Sequence, residues 1–204
     1  MTAGSVSQVI MKFMKAGLFN FLLLPALVTH PTSSPPISNS VLAGAESTPL
    51  PTIENRLSAD NSEFRLLQQE SIGTLKIGLP EAKVRQAISC DLQREAEQLW
   101  GADGAYHQKW KYPNCGITLS MVSEQKGATK SIESITLNSP SRLSTKRGIH
   151  IGSPESSVVK AYKAEWNRES SKPGFFVAGS VYGGLIFQFK NGKVTQIFLG
   201  AAAE

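Results

Sequence analysis

A short stretch of this chain occurs twice at a constant offset of 74 residues, and that repetition constrains the fold more than any other feature. Thr74-Leu-Lys-Ile-Gly-Leu-Pro-Glu-Ala-Lys-Val-Arg-Gln-Ala87 aligns with Gly148-Ile-His-Ile-Gly-Ser-Pro-Glu-Ser-Ser-Val-Val-Lys-Ala161. Ile77 matches Ile151, Gly78 matches Gly152, Pro80-Glu81 matches Pro154-Glu155, Val84 matches Val158 and Ala87 matches Ala161. Each copy reads as a helix start. Glycine permits the bend, Ser153 can cap, proline fits the first helical position without losing a needed N–H, and glutamate suits the positive end of the helix dipole. Val84, Ala87 and Ile88, like Val158, Ala161 and Tyr162, then follow helical spacing.

The second half of each copy alternates as strands do. Gly116 to Val122 and Ile132 to Leu137 form one pair, Gly184 to Phe189 and Val194 to Leu199 the other. Asn191-Gly192 is a strong hairpin turn in the second pair; the first is joined by a longer polar loop, Ser123 to Lys130, expected to be mobile. The glycines at 179, 183 and 184 read as turn positions, because no helix or Gly-Lys-Ser/Thr follows to make a phosphate loop. A module of this size has a marginal core alone, so two are expected to pack together and continue one curved sheet. The expected fold class is α+β, two tandem helix-plus-antiparallel-sheet modules at 72–140 and 141–204.

Ahead of them, residues 1–45 carry no acidic side chain, and Lys12 and Lys15 precede an apolar run, Ala16 to Val28, too short for a bilayer. With Ala43-x-Ala45 as a cleavage pattern, 1–45 reads as a signal peptide, with translation from Met11 as one form of it; an uncleaved membrane anchor is the alternative. The chain is therefore expected to be exported, periplasmic or extracellular, without a stable membrane span after cleavage. Residues 46–71 read as a leader, extended at Pro49 and Pro51, with a short helix from Ser62 to Glu70. Removing Lys12 and Lys15 lowers the net charge from +5 to +3, scattered rather than clustered, which argues against nucleic acid. Cys90 and Cys115 are the only cysteines, and in an exported chain a disulfide is expected, two buried thiols being the alternative. Its loop would contribute about 3.5 kcal/mol through chain entropy.

Between the repeats' common parts, the first copy inserts Glu95 to Tyr112. Leu92, Ala96, Leu99 and Trp100 could continue a helical stripe. Asp103-Gly104 favours a hairpin instead, with strands near 95–100 and 105–112 and the preceding helix ending near Cys90. Trp100, Tyr106, His107, Trp110 and Tyr112 then form an aromatic binding surface or, on the plainer reading, Trp100 and Trp110 face the sheet core. His107 and His150 are too isolated for a metal site, His30 lies in the removable segment, and no cofactor is expected. There is no Gly-x-Ser-x-Gly elbow, and Asp103 near Glu97 across the hairpin has a sufficient local reason in its turn.

The helix start Ile77-Gly78-Leu79-Pro80-Glu81-x-x-Val84, repeated as Ile151-Gly152-Ser153-Pro154-Glu155-x-x-Val158 and followed by antiparallel strands, resembles the superfamily of outer-membrane assembly lipoproteins and β-lactamase inhibitory proteins over residues 72–199. The resemblance implies a module that binds other proteins without catalysis; the chain departs from the lipoproteins in lacking a lipidated cysteine and in having two copies. The expected function is an exported, non-catalytic binding, assembly or inhibitor-like protein recognising another envelope or extracellular protein. A carbohydrate- or cell-wall-binding module using the aromatic hairpin is the alternative, and an envelope enzyme comes third.

Overall fold

The computed structural model describes residues 65–202; the expected signal peptide and the leader up to residue 64 lie outside the described residues. Residues 65–69 are helical; they bury Leu66 and pack the partly buried Leu67 against the core. Two further helices follow, α1 (Glu81–Ala87) and α2 (Glu155–Tyr162). Eight strands form one mostly antiparallel sheet: β1 (Gln93–Arg94), β2 (Gln98–Leu99), β3 (Tyr106–Tyr112), β4 (Ile117–Ser123), β5 (Ser131–Asn138), β6 (Phe175–Ser180), β7 (Gly183–Lys190) and β8 (Lys193–Gly200). The order across it is β1-β3-β4-β5-β8-β7-β6, with β2 also paired to β3.

Period-two alternation divides the sheet into two faces. One face sends Trp110, Tyr112, Leu119, Met121, Ile135, Leu137, Phe187 and Ile197 into a single apolar cluster, which Val84, Ile88, Val158 and Tyr162 of the helical segments complete. The other face is half-buried and largely polar, with Thr118, Ser120, Thr136 and Gln196 on it. Both helix starts make the same backbone contacts. Gly78 N–H donates to the Ile132 carbonyl (2.7 Å), Glu81 N–H to Lys130 (2.9 Å), and Ile132 N–H returns to Leu79 (3.0 Å). At the other start Gly152 donates to Val194 (2.8 Å), Glu155 to Gly192 (3.0 Å), and Val194 returns to Ser153 (2.9 Å). The residue just before a neighbouring strand thus satisfies the first orphan amide of each helix. Ser153, expected as a cap, is freed for another bond: Pro154 takes the cap position, and the Ser153 hydroxyl accepts from His150 N–H at 3.0 Å.

Several elements differ from expectation. Helix α1 stops at Ala87, because Ile88 turns extended to bury itself, so Cys90 sits beyond the helix. The first hairpin strand is broken into β1 and β2, both paired to β3. Gly179, Gly183 and Gly184 are strand residues in β6 and β7; a Cβ at Gly184 would stand 2.3 Å from the Ala178 carbonyl oxygen, so glycine there serves close strand approach. The free edge of β6 is covered, as Asn167 N–H donates to Val177 (2.9 Å) and Trp166 bridges Ala178.

Cys90 and Cys115 are disulfide-bonded, tying the segment after α1 to the turn before β4. Replacing both by serine is expected to lower unfolding free energy by about 3.5 kcal/mol, as loop closure in the unfolded chain would predict. Coincident denaturation curves for the two proteins would show that the crosslink does not limit stability.

Candidate functional site

The hairpin between β2 and β3 closes through Trp100 N–H donating to Ala105 (3.0 Å) and Gly104 N–H to Trp100 (2.9 Å). Of the five aromatic and histidine side chains expected to make a binding surface, the structure leaves one at the surface. Trp100 is 36% exposed and its neighbour Leu99 is 59% exposed. Tyr106 is half-buried, while Trp110 and Tyr112 are in the core, because positions 110 and 112 share the apolar face of β3. The Trp110 indole N–H donates to Gln108 Oε1 at 2.8 Å.

His107 points to the opposite face, where polar side chains stand, yet it is only 4% exposed. Its Nε2 lies 2.9 Å from Asp103 Oδ2 and its Nδ1 lies 3.0 Å from Glu133 Oε2. The indole of Trp100 stacks on the imidazole at 3.8 Å with 14° between the planes. Each companion has a local cause. Asp103 holds the turn with its second oxygen, which accepts Ala105 N–H at 2.9 Å, an Asx-type turn that also aims Oδ2 at His107. Glu133 is the extra residue of a β-bulge: Ser120 pairs with Ser134 and Met121 with Ile132, leaving Glu133 unopposed on β5. A bulge re-aims a side chain, and Glu133 thereby receives the Ser120 hydroxyl at 3.0 Å.

Glu97 does not meet Asp103. It pairs with Lys130 and accepts Gly127 N–H (3.0 Å to one carboxylate oxygen), tethering the β4–β5 loop to the hairpin. The Lys130 ammonium holds its carboxyl below the usual range. The hairpin is therefore fixed at two places, by His107 and by Glu97.

His107 is thus not isolated, contrary to expectation, and the chemistry open to it is narrow. A general base needs a nitrogen free to take a proton from a nucleophile. Here both nitrogens face carboxylates, and the nearby Ser120 hydroxyl donates to Glu133 rather than to the ring. Both contacts are hydrogen bonds when the ring carries two N–H groups. His107, Asp103 and Glu133 bring ligand atoms within 4.8 Å of one another. In this arrangement, though, each ring nitrogen faces a carboxylate oxygen at hydrogen-bond distance. What the geometry does is pin the hairpin and give Trp100 a rigid floor.

A buried carboxylate, Glu70, serves the core. It is 3% exposed and accepts the Tyr162 hydroxyl (3.0 Å) and the amides of Lys146 (2.9 Å) and Ser71 (3.1 Å). Burial pushes the Tyr162 hydroxyl far above its ordinary range. Arg147 caps the arrangement, stacking over Tyr162 at 4.5 Å and binding Glu165 through two nitrogens at 2.9 and 2.6 Å. A cleft of about 290 Å³ lies beside it, lined by Leu66, Gln69, Glu70, Lys146 and Arg147. His150 bonds only locally, its Nδ1 lying 3.0 Å from the Ile151 carbonyl.

Sequence reasoning missed Glu133 and Ser120. The signal was present in Ile132-Glu-Ser-Ile135, where the apolar residues are three apart instead of two, the mark of a bulge. Comparison with protein-family models, with curated proteins and with solved structures found no match to this chain.

Proposed function

We propose that this chain is an exported, non-catalytic protein built from two copies of a helix-plus-antiparallel-sheet module, which holds another envelope or extracellular protein through the hairpin carrying Leu99 and Trp100. The observation that carries the reading is Trp100 itself: a large aromatic, partly exposed, seated on a histidine that two carboxylates lock. Aromatic anchors that are rigid before binding lose little entropy on contact and dominate protein interfaces. No nucleophile–base pair competes with this reading at the site, since both His107 nitrogens are engaged.

Three observations support the duplication. The six backbone bonds at the two helix starts correspond one to one. The strands in them, β5 and β8, correspond at an offset of 62, as Ile132 and Val194 do. These two strands also pair with each other: Ile135 faces Leu199, Leu137 faces Ile197, and Thr136 faces Phe198 between them. At that offset Thr136 corresponds to Phe198, so exchanging the halves maps these three pairs onto themselves, as a two-fold axis would. The superfamily resemblance points to the same kind of protein. For export, the disulfide fits an oxidising compartment. None of the described helices is long and apolar enough to cross a membrane.

The test is a photo-crosslinking residue at Leu99 in the native envelope, with Trp100→Ala in parallel. One protein partner is expected, and its affinity should fall about tenfold or more in the variant, the usual size for a central aromatic anchor. No crosslinked protein from Leu99 would overturn the reading. The carbohydrate alternative keeps one specific support, since an indole stacked on one side leaves its other face for a sugar ring. Retention on peptidoglycan or polysaccharide, lost in Trp100→Ala, would favour it.

A further inference from the structure

Trp110 is 1% exposed, and two cations cover it. Arg94 is its cross-strand partner on β1 and holds its guanidinium 5.2 Å from the ring centroid. Arg85 reaches the same ring from α1, at 5.3 Å. Stacking on an indole fixes a guanidinium that would otherwise sample many rotamers. Since both sit over one ring, the two charges are at most about 10.5 Å apart.

Compensation for them is thin. Arg85 has a carboxylate oxygen of Glu81 at 3.6 Å. Arg94 has no carboxylate within ion-pair distance among the described residues. Glu95, next to it, is taken by Lys111, and Asp91 receives the Asn114 amide at 3.5 Å. Beside Trp110 on the same face of β3 stands Tyr112, also 1% exposed, whose hydroxyl has no hydrogen-bond partner among the described residues. Buried hydroxyls nearly always have one. Burial pushes that hydroxyl up, while the Arg85 and Arg94 charges pull it the other way, so both guanidiniums act on it electrostatically. The two cations over Trp110 stand exposed with little carboxylate beside them, and what would answer both is an oxygen anion.

We infer that Arg85 and Arg94, held over Trp110, form a second anchor of the protein, which receives carboxylate groups from an acidic segment of its protein partner. Carboxylates match the guanidinium fork, and side chains already fixed by stacking pay little to bind them. The covalent frame adds rigidity here, because the disulfide of Cys90 with Cys115 closes the chain between α1 and β1 against the turn before β4. This inference rests on the protein-binding reading and adds to it the chemistry of the partner.

The probes are poly-L-glutamate and inorganic phosphate, titrated against the exported chain at low and at high salt. Poly-L-glutamate is expected to bind, with affinity at least tenfold weaker in Arg85→Gln/Arg94→Gln and largely recovered in Arg85→Lys/Arg94→Lys. A control with the same loss of charge, Lys109→Gln/Lys126→Gln, should stay within twofold of the unsubstituted protein. Thermal melts establish that each variant folds, and Arg94→Gln alone, at an exposed position, stands in if the double variant does not. Equal losses in the control and the arginine variant would overturn the inference, because the binding would then be diffuse. Phosphate binding as tightly as the polymer would overturn it too, assigning the patch to a free anion. In the envelope the two readings separate. Partner crosslinks from Leu99 that persist undiminished in Arg85→Gln/Arg94→Gln would sink this anchor alone; the absence of crosslinks in the unsubstituted protein would sink the protein-binding reading itself.

Discussion

Gly116→Ala is expected to cost about 4–5 kcal/mol, a large effect for a single added methyl group. Gly116 sits at φ +62° and ψ 32°, closing the turn of Pro113–Cys115 ahead of β4. Its carbonyl accepts Asn138 N–H at 2.8 Å, so the chain leaving β5 passes directly over it. A Cβ there would stand 2.2 Å from the Asn138 oxygen and 2.7 Å from the Ser141 nitrogen. Both are backbone atoms and cannot swing aside as a side chain would. The left-handed conformation adds about 1–2 kcal/mol for any residue with a Cβ. Gly127→Ala separates the two contributions, since Gly127 has φ +73° with nothing within 4 Å of the added carbon. It should lose only the conformational part. Chemical denaturation of the two variants gives the comparison, and equal midpoints would mean that the Asn138–Ser141 segment yields easily.

His107→Ala is expected to lose about 3 kcal/mol, the cost of losing two side-chain hydrogen bonds to carboxylates together with the ring that makes them. The imidazole is 4% exposed, while the carboxylates it joins are 20% and 23% exposed and keep part of their hydration. About 1 kcal/mol of the loss belongs to the stack with Trp100. His107→Phe keeps a ring under Trp100 but bonds neither Asp103 nor Glu133, and should recover only that smaller part. Trp100 fluorescence and its quenching by acrylamide provide a second readout: the alanine variant should expose the indole more, the phenylalanine variant less. If His107→Phe matched the unsubstituted protein in stability, the two carboxylates would not hold the hairpin.

The candidate site was half legible. Asp103-Gly104 marked the hairpin, and the aromatic richness of Trp100 to Tyr112 marked it as unusual. Spacing by two along β3 separates His107 from Trp110 and Tyr112, but it does not say which set faces the core. Trp100 escapes that rule because it lies in the turn segment beyond β2, where alternation stops. The missing strand β6 shows the same limit. Phe175-Phe-Val-Ala-Gly-Ser180 does not alternate cleanly, since Phe176, Val177 and Ala178 are all buried, one face by the core and the edge by the Trp166–Asn167 segment.

What the sequence determined by itself was local: two helix starts at a fixed offset, four strands by alternation, a hairpin at Asp103-Gly104, and a single possible disulfide among two cysteines. Those features follow from the backbone geometry of a few consecutive residues, so neighbours suffice to specify them. The tertiary structure decided which distant residues meet. Glu133 reaches His107 only because the β4–β5 register slips by one residue, and Arg94 covers Trp110 only because β1 lies across from it on β3. Such meetings depend on register between strands far apart in the chain, where a shift of one residue turns every side chain to the other face. The two helix starts were therefore visible from the start, and the pinned tryptophan was not.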